Sequence, residues 1–519
     1  MRLGAPGCAL LLALAVGLGT PASAQAQDGA RAQVTNTLTG EARGDNHNGV
    51  DTDDDYTVIV DRFNLSVASP GLVAQLRADL FQFVDEPADQ GYRDALQIER
   101  LTLRFTRGPW EVVGGDFYRQ LGRGIALSLR KNEESAVDVT LQGGQLGYQG
   151  TAHQLTAFAG RTNPANLDAI SQRFVADTHD TIVGGTWDWT GNSLVKLGAF
   201  GLWMKTREQL LGEHSTTASA GATVAMPTAT DWLALYAEGD AQQRQVIGVS
   251  SRGYAAYATA DLTLLHGDLT FLLEGLHLQD YELRGSTNTA LGKAFDYNQP
   301  PTLERIDQEV TNLRDVDGAA LRAEYFFFDL DLLLFASGNL RLNDPAGPSP
   351  VQTAHAYAGA TWTFQQGRSR LQASAGTRDE RQDGQTLRTL IHAEADYLQA
   401  LLVEYGLSIH LQLWHELRSQ DAADFQRGTS LLSLEWARRG SAGFELSYDT
   451  QDPRPEVRNA FAAALLAWHL HGTFDLADLD ELSLAVLAGT RRGGLRCVAG
   501  VCRDFPEFSG AQVRAILRY

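Results

Sequence analysis

The sequence holds little from which catalysis, nucleic-acid binding or a helical membrane span could be built. Its 519 residues include only 3 Cys, 3 Met and 15 Pro. There is no Gly-x-Ser-x-Gly elbow: Gly248-Val249-Ser250-Ser251-Arg252 has Arg where the closing Gly belongs. His-Glu-x-x-His and a phosphate-cradling Gly-rich loop are lacking too, and the 12 histidines are scattered. An acid pair cannot be read without geometry. The sequence therefore predicts no enzyme and no cofactor. Positive charge is scarce: 43 Lys and Arg against 63 Asp and Glu leave a net charge of −20, which argues against a nucleic-acid partner. Past the first two dozen residues, every apolar run breaks within a few positions at a polar residue or glycine. That excludes a helical inner-membrane protein. It leaves a membrane barrel open, because barrel strands alternate lipid-facing and lumen-facing residues.

The first residues read as an export signal rather than as part of the fold. Arg2 supplies the positive start, Cys8 to Leu18 the apolar run, and Ala22-Ser23-Ala24 the small residues before cleavage at Gln25. The expected organisation is a signal peptide over 1–24 and a single body over 25–519. No linker or composition shift divides the remainder, and 51 Gly with few Pro suit strands and turns. In an exported chain, Cys497 and Cys502 read as a disulfide across the last long loop. Zinc fits poorly, since no second pair or histidines stand at ligand spacing.

What the sequence does hold is period-two alternation. Ala354, Ala356, Ala358, Ala360, Trp362 and Phe364 alternate with Thr353, His355, Tyr357, Gly359, Thr361 and Thr363. Leu401, Val403, Tyr405, Leu407, Ile409, Leu411 and Leu413 form another such set, as do Leu432, Leu434 and Trp436, and Ala442, Phe444, Leu446 and Tyr448. A helical stripe does not give these sets. Links between the candidate strands take turns between two classes. Short ones include Ser69-Pro70-Gly71, Arg107-Gly108-Pro109 and Arg439-Gly440-Ser441. Long ones include Gly44 to Asp55, Thr162 to Thr178, Tyr281 to Asp315, Arg418 to Gln426 and Arg491 to Phe508. Short turns alternating with long loops is the layout of outer-membrane barrels. The predicted fold is all-β: one antiparallel up-and-down transmembrane barrel of about 24 strands (range about 22 to 26), with both termini in the periplasm.

The last residues, Ala511, Val513, Ala515, Leu517 and Tyr519 against Gln512, Arg514 and Arg518, look like the terminal strand that the barrel assembly machinery recognises in such proteins. Three further stretches resemble a poorly characterised group of large Gram-negative outer-membrane proteins. They are Gly114-Gly115-Asp116-Phe117-Tyr118 through Gly122-Arg123-Gly124, Tyr297-Asn298-Gln299-Pro300-Pro301-Thr302-Leu303-Glu304, and Gly493-Gly494-Leu495-Arg496-Cys497 to Cys502. The resemblance implies a barrel embedded in outer-membrane lipid and lipopolysaccharide. It implies no chemistry.

One link stands out in this acidic chain. Arg119, Arg123, Arg130 and Lys131 are interleaved with Leu121, Ile125, Leu127 and Leu129, so the segment can lie extended against an inner wall. A barrel this wide has room for it. Folded inward, its charges would form a constriction favouring anionic or carboxylate-bearing solutes. The bland alternative is a strand extension whose arginines pair with carboxylates or lipopolysaccharide phosphates. Asp51, Asp53 and Asp55 make a weak calcium candidate, without the ligand order of an EF-hand, and read better as an acidic outer loop. His392, His410 and His469 fall in apparent strands, facing a lumen or a paired core. The leading expectation is a porin-like channel for small solutes. The alternative is a non-conducting barrel that binds a surface partner or anchors an envelope complex, with the loop Tyr281 to Asp315 as its contact.

Overall fold

The computed structural model describes residues 29–46, 53–87, 91–132, 136–175, 179–207, 214–246, 248–288, 293–305, 314–420, 423–437, 439–452, 459–474, 479–498 and 501–519. The expected signal peptide, and Asp51 of the calcium candidate, lie outside these residues.

The described chain is organised as one antiparallel sheet closed on itself. Twenty-four strands, from Arg31–Arg43 to Phe508–Arg518, each pair with the next. The last also pairs with the first, Ala515 opposite Leu38, so no edge is left open. The same sheet carries a two-residue spur, Lys131–Asn132, alongside the strand Val137–Gln149. Closure is what a membrane demands of a sheet, since an unpaired backbone edge cannot be hydrated in hydrocarbon. A circular cylinder of 24 strands, spaced about 4.8 Å and tilted about 40°, would be roughly 48 Å across its backbone. Such a lumen is far too wide for wall side chains alone to fill.

Alternation assigns the two faces. In Leu233–Val246, Leu235 is exposed on the outside, while Glu238, Asp240 and Gln242 point inward and are buried. In Ala95–Arg107 the register slips: Arg77 faces Arg100, but Ala78 faces Ile98, leaving Glu99 as an extra residue. This bulge keeps Leu96 and Ile98 on the same outer face as Leu101, Leu103 and Phe105, all of them exposed. Trp110, Trp232, Phe328, Trp362, Tyr405 and Trp436 are exposed beside the short links, forming an aromatic girdle at that end. Both described chain ends lie at the same end as the short links.

Two link expectations are corrected. The alternation from Leu401 to Leu413 is not one strand, because a 3-10 turn at Val403–Tyr405 separates Gln385–Leu402 from Leu407–Gln420. Gly406 closes that turn at φ 65°, a left-handed conformation that glycine adopts without strain. The link expected to be long at Arg418 to Gln426 shrinks to residues 421–422, since strands Leu407–Gln420 and Ala423–Trp436 pair down to Gln420 opposite Ala423.

Candidate functional site: two loops folded into the lumen

The basic segment lies inside the barrel. Arg119–Leu121 pairs with Leu127–Leu129 as a small hairpin. Its Leu121, Ala126, Leu127 and Leu129 are buried against Leu141, Phe158, Ile182, Phe200, Leu202 and Met204 from the inner faces of successive strands. The wall is therefore apolar where the hairpin covers it. This is the reverse of the polar-inside rule, and it marks a docking surface rather than a water-lined one. The turn of the hairpin docks on Glu238: the backbone N–H of Arg123 donates to its Oε2 at 2.8 Å, and so does the Tyr236 hydroxyl at 2.6 Å. Gly122, at φ 53°, is pressed onto the same carboxylate, and a Cβ there would run into it.

The four basic residues expected to act together have different neighbours. Arg119 donates to Thr186 Oγ1 at 3.1 Å and lies over the Phe158 ring. Burial, only partly offset by Asp188, lowers the affinity of its guanidinium for its proton. Arg123 stacks over Tyr236 at 4.6 Å. Arg130 is half-buried and forms no ion pair among the described residues, and burial alone acts on its charge. Lys131 lines a lumenal recess of about 490 Å³ together with Arg77, Arg100, Arg104, Tyr118 and Gln145. In that recess Arg77 and Arg100 are neutralised by Asp138, each at 3.0 Å, and Arg77 also by Asp79 at 2.6 Å.

A second loop, between Leu269–Gln279 and Val316–Phe327, crosses the lumen and meets the first. Gln299 N–H donates to Gly124 C=O at 2.8 Å, and Ser128 N–H donates to Tyr297 C=O at 2.7 Å. Two of the stretches that carried the family resemblance are thus in contact. The buried Tyr297 hydroxyl donates to Asp180 Oδ2 at 2.8 Å, fixing the loop to the wall near His153–Pro164 and Thr181–Trp189. Ser286 donates to the same carboxylate from its N–H at 2.8 Å and from its hydroxyl.

Seven residues after Tyr297, the loop reaches a different stretch of wall. Three cross-strand neighbours, Asn339, His355 and Arg378, stand side by side on the inner face. All three converge on the buried carboxylate of Glu304, from His355 Nδ1 at 2.8 Å, Arg378 Nε at 3.2 Å and Asn339 Nδ2 at 3.3 Å. Burial raises the proton affinity of Glu304. The hydrogen bond from His355 and the charges of Arg378 and Arg341 outweigh that and hold its carboxyl down to about 2. The next residue, Arg305, donates to Glu394 Oε2 at 2.7 Å and approaches His392 Nδ1 at 3.3 Å. Sequence reasoning marked Tyr297 to Glu304 only as a resemblance and gave no role to His355. An isolated acid after Pro300-Pro301 carries no local signal of a wall 35 to 74 residues further along.

Among the described residues, no group of three or more His, Cys, Asp or Glu is placed to hold a metal. Asp54 of the calcium candidate stretch instead accepts the Asn46 N–H at 2.9 Å. Strands Gly494–Val498 and Val501–Phe505 form a hairpin whose register sets Cys497 opposite Cys502 along the backbone.

No protein-family model matches the chain, and no curated protein matches it. Among solved structures, the siderophore receptor PirA from Pseudomonas aeruginosa matches at 9% identity and TM-score 0.51, over 95% of this chain and 81% of that one. Pseudomonas aeruginosa OccK2 (OpdF) matches at 13% identity and TM-score 0.40, over 69% of this chain and 94% of that one. The P pilus usher (PapC) translocation pore matches at 7% identity and TM-score 0.41, over 94% and 98%. The first of these similarities shows the fold, a large β-barrel of the outer-membrane type.

Proposed function

We propose that this protein is an outer-membrane channel for small solutes whose own loops narrow its lumen, with the basic segment 119–131 on the solute path. The observation that carries this reading is Arg130, a half-buried guanidinium in the infolded segment with no carboxylate partner among the described residues. A fixed cation with no carboxylate beside it among the described residues attracts anions and repels cations in a narrowed aqueous passage. The recess of Lys131 and Arg104 beside Gln145, Thr102 and Asn64 adds hydrogen-bonding groups for a hydroxylated or carboxylate-bearing solute. In this reading the girdle end faces the periplasm, the outer face meets lipid and lipopolysaccharide, and the strand ending at Tyr519 is handed to the barrel assembly machinery.

Liposome swelling tests the proposal. Vesicles holding the purified protein should swell faster in a small organic anion than in a neutral solute of equal size, and the Arg130→Gln chain should lose that preference. Equal rates for the two solutes in the unaltered protein would end the anion assignment. The non-conducting anchor remains the second reading, supported by the contact of the two loops across the lumen. In that case the vesicles do not swell at all.

A further inference from the structure

Where the crossing loop meets the wall, the Nε2 atoms of His355 and His392 lie 3.0 Å apart, and both side chains are sealed from solvent. The partners on their other nitrogens fix where the hydrogens sit. A carboxylate only accepts, so His355 Nδ1 carries a hydrogen toward Glu304. The Nε2 of a neutral His355 is then an acceptor, and His392 must donate to it from its own Nε2. A neutral His392 is left with a bare Nδ1, which accepts from Arg305 Nη1 at 3.3 Å. Donation runs from Arg305 through His392 and His355 to the accepting carboxylate of Glu304, and the peptide bond between Glu304 and Arg305 closes the circuit.

One proton from solvent can be taken up without disturbing the contact between the two Nε2 atoms, at the loss of the Arg305 Nη1 bond to His392. His392 Nδ1 becomes a donor, with Glu394 Oε1 3.1 Å away, while Arg305 keeps Glu394 through Nη2. A second proton cannot be accommodated. Both Nε2 atoms would then carry hydrogen, and the 3.0 Å contact would hold two N–H groups on two cations facing each other. Among the described residues, no carboxylate around the pair is left without a cation. The loop presents Glu304 and Arg305. Strand Leu332–Asn343 presents Asn339 and Arg341. Tyr357 comes from Val351–Phe364, Arg378 and Glu380 from Ser369–Gln382, and Arg388 and Glu394 from Gln385–Leu402. Beyond them Glu416 is occupied by Arg418 and Arg427. Among the described residues, guanidinium groups already outnumber carboxylates here.

We propose that His355 and His392 form a proton-binding latch: it holds the crossing loop to the wall while the pair carries at most one added proton, and it releases Glu304 and Arg305 when both rings are protonated. Release is therefore driven by acid, and the window compared is pH 7.5 to pH 5.0. Glu304 stays ionised throughout that window and is not the trigger. The latch concerns the position of the loop and rests on the channel reading only for its effect on conductance.

The test measures position directly. In a full chain carrying Cys497→Ser and Cys502→Ser, spin labels are placed on Thr302→Cys and Arg368→Cys, and their separation is read at pH 7.5 and pH 5.0. One narrow distance at pH 7.5 and a broad, longer one at pH 5.0 are expected, and the double variant His355→Gln/His392→Gln should show no pH-dependent change. An unchanged distance in the parent chain, or the same acid shift in the double variant, overturns the latch. If the double variant is released at both pH values, the single variant His392→Gln decides. It keeps the Glu304–His355 bond and cannot take two protons, so it must remain docked at pH 5.0, and release there overturns the proposal. A loop that moves in a protein that never conducts would sink the channel and leave the latch standing.

Discussion

The hydroxyl of Tyr297 and the carboxylate of Asp180 are 117 residues apart in sequence and 2.8 Å apart in space. Asp180 is buried, and among the described residues its carboxylate accepts three bonds, one from Tyr297 and two from Ser286. Removing the acceptor strands those donors in a dry site, which costs about 1–3 kcal/mol per buried group left unmatched. Asp180→Ala should therefore loosen the crossing loop without opening the barrel. Hydrogen exchange checks this: amides of residues 283–304 should lose protection while those of the wall strands keep theirs. Tyr297→Phe, which removes one bond of the three, should show a smaller loss.

Gly122 tests the seat of the basic hairpin. Its left-handed φ would strain a side chain, and a Cβ there would meet the Glu238 carboxylate. Gly122→Ala should destabilise the hairpin by about 1–3 kcal/mol from backbone strain and displaced packing. The expected readout is a changed ion selectivity with unchanged secondary structure by circular dichroism.

Glu304 makes an acid-limb prediction of its own. Its carboxyl is held down to about 2 against an ordinary 4.5. A lowered value means that the docked state gains stability above the free-carboxylate range and loses it as pH falls through the docked value. With the loop kept docked by His392→Gln, the contribution of Glu304 should be flat from pH 8 to about 5 and fade between about 4 and 2. Thermal melting of the purified variant across that range should show the fade, and the same chain with Glu304→Gln should be less stable at pH 7 and lack it.

The outer face gives a prediction independent of the loops. Leu413 is exposed on the lipid side of its strand. Leu413→Arg should destabilise the barrel by about 2–4 kcal/mol if that position sits near the bilayer midplane. The neighbouring inward position Gln412, which donates to Asp396 at 2.8 Å, should accept Gln412→Arg at far lower cost. Urea unfolding in lipid vesicles separates the two.

How much of this was legible depended on the range of the cause. Alternation is a local consequence of a wet inside and a greasy outside, so the strands, their order and the closed cylinder could be read from the sequence. The turn at Val403–Tyr405 was missed because its apolar residues continue the alternation and only Gly406 betrays it. The bulge at Glu99 was invisible because it depends on the register with Arg77 and Ala78. For the basic segment, Leu121, Ile125, Leu127 and Leu129 left an infolded loop and a strand extension both open, and the pairing of Arg119–Leu121 with Leu127–Leu129 was not read. Glu304 and His355 could not be paired, because what joins them is the loop's path across the lumen rather than any motif.

Single-channel recording in planar bilayers tests the central claim most directly, comparing the full protein with a chain in which residues 284–304 are replaced by a short Gly-Ser link. The account predicts a small, anion-preferring conductance for the full protein and a several-fold larger one for the shortened chain. Silence from both chains, each folded and inserted, would contradict a solute path through this lumen.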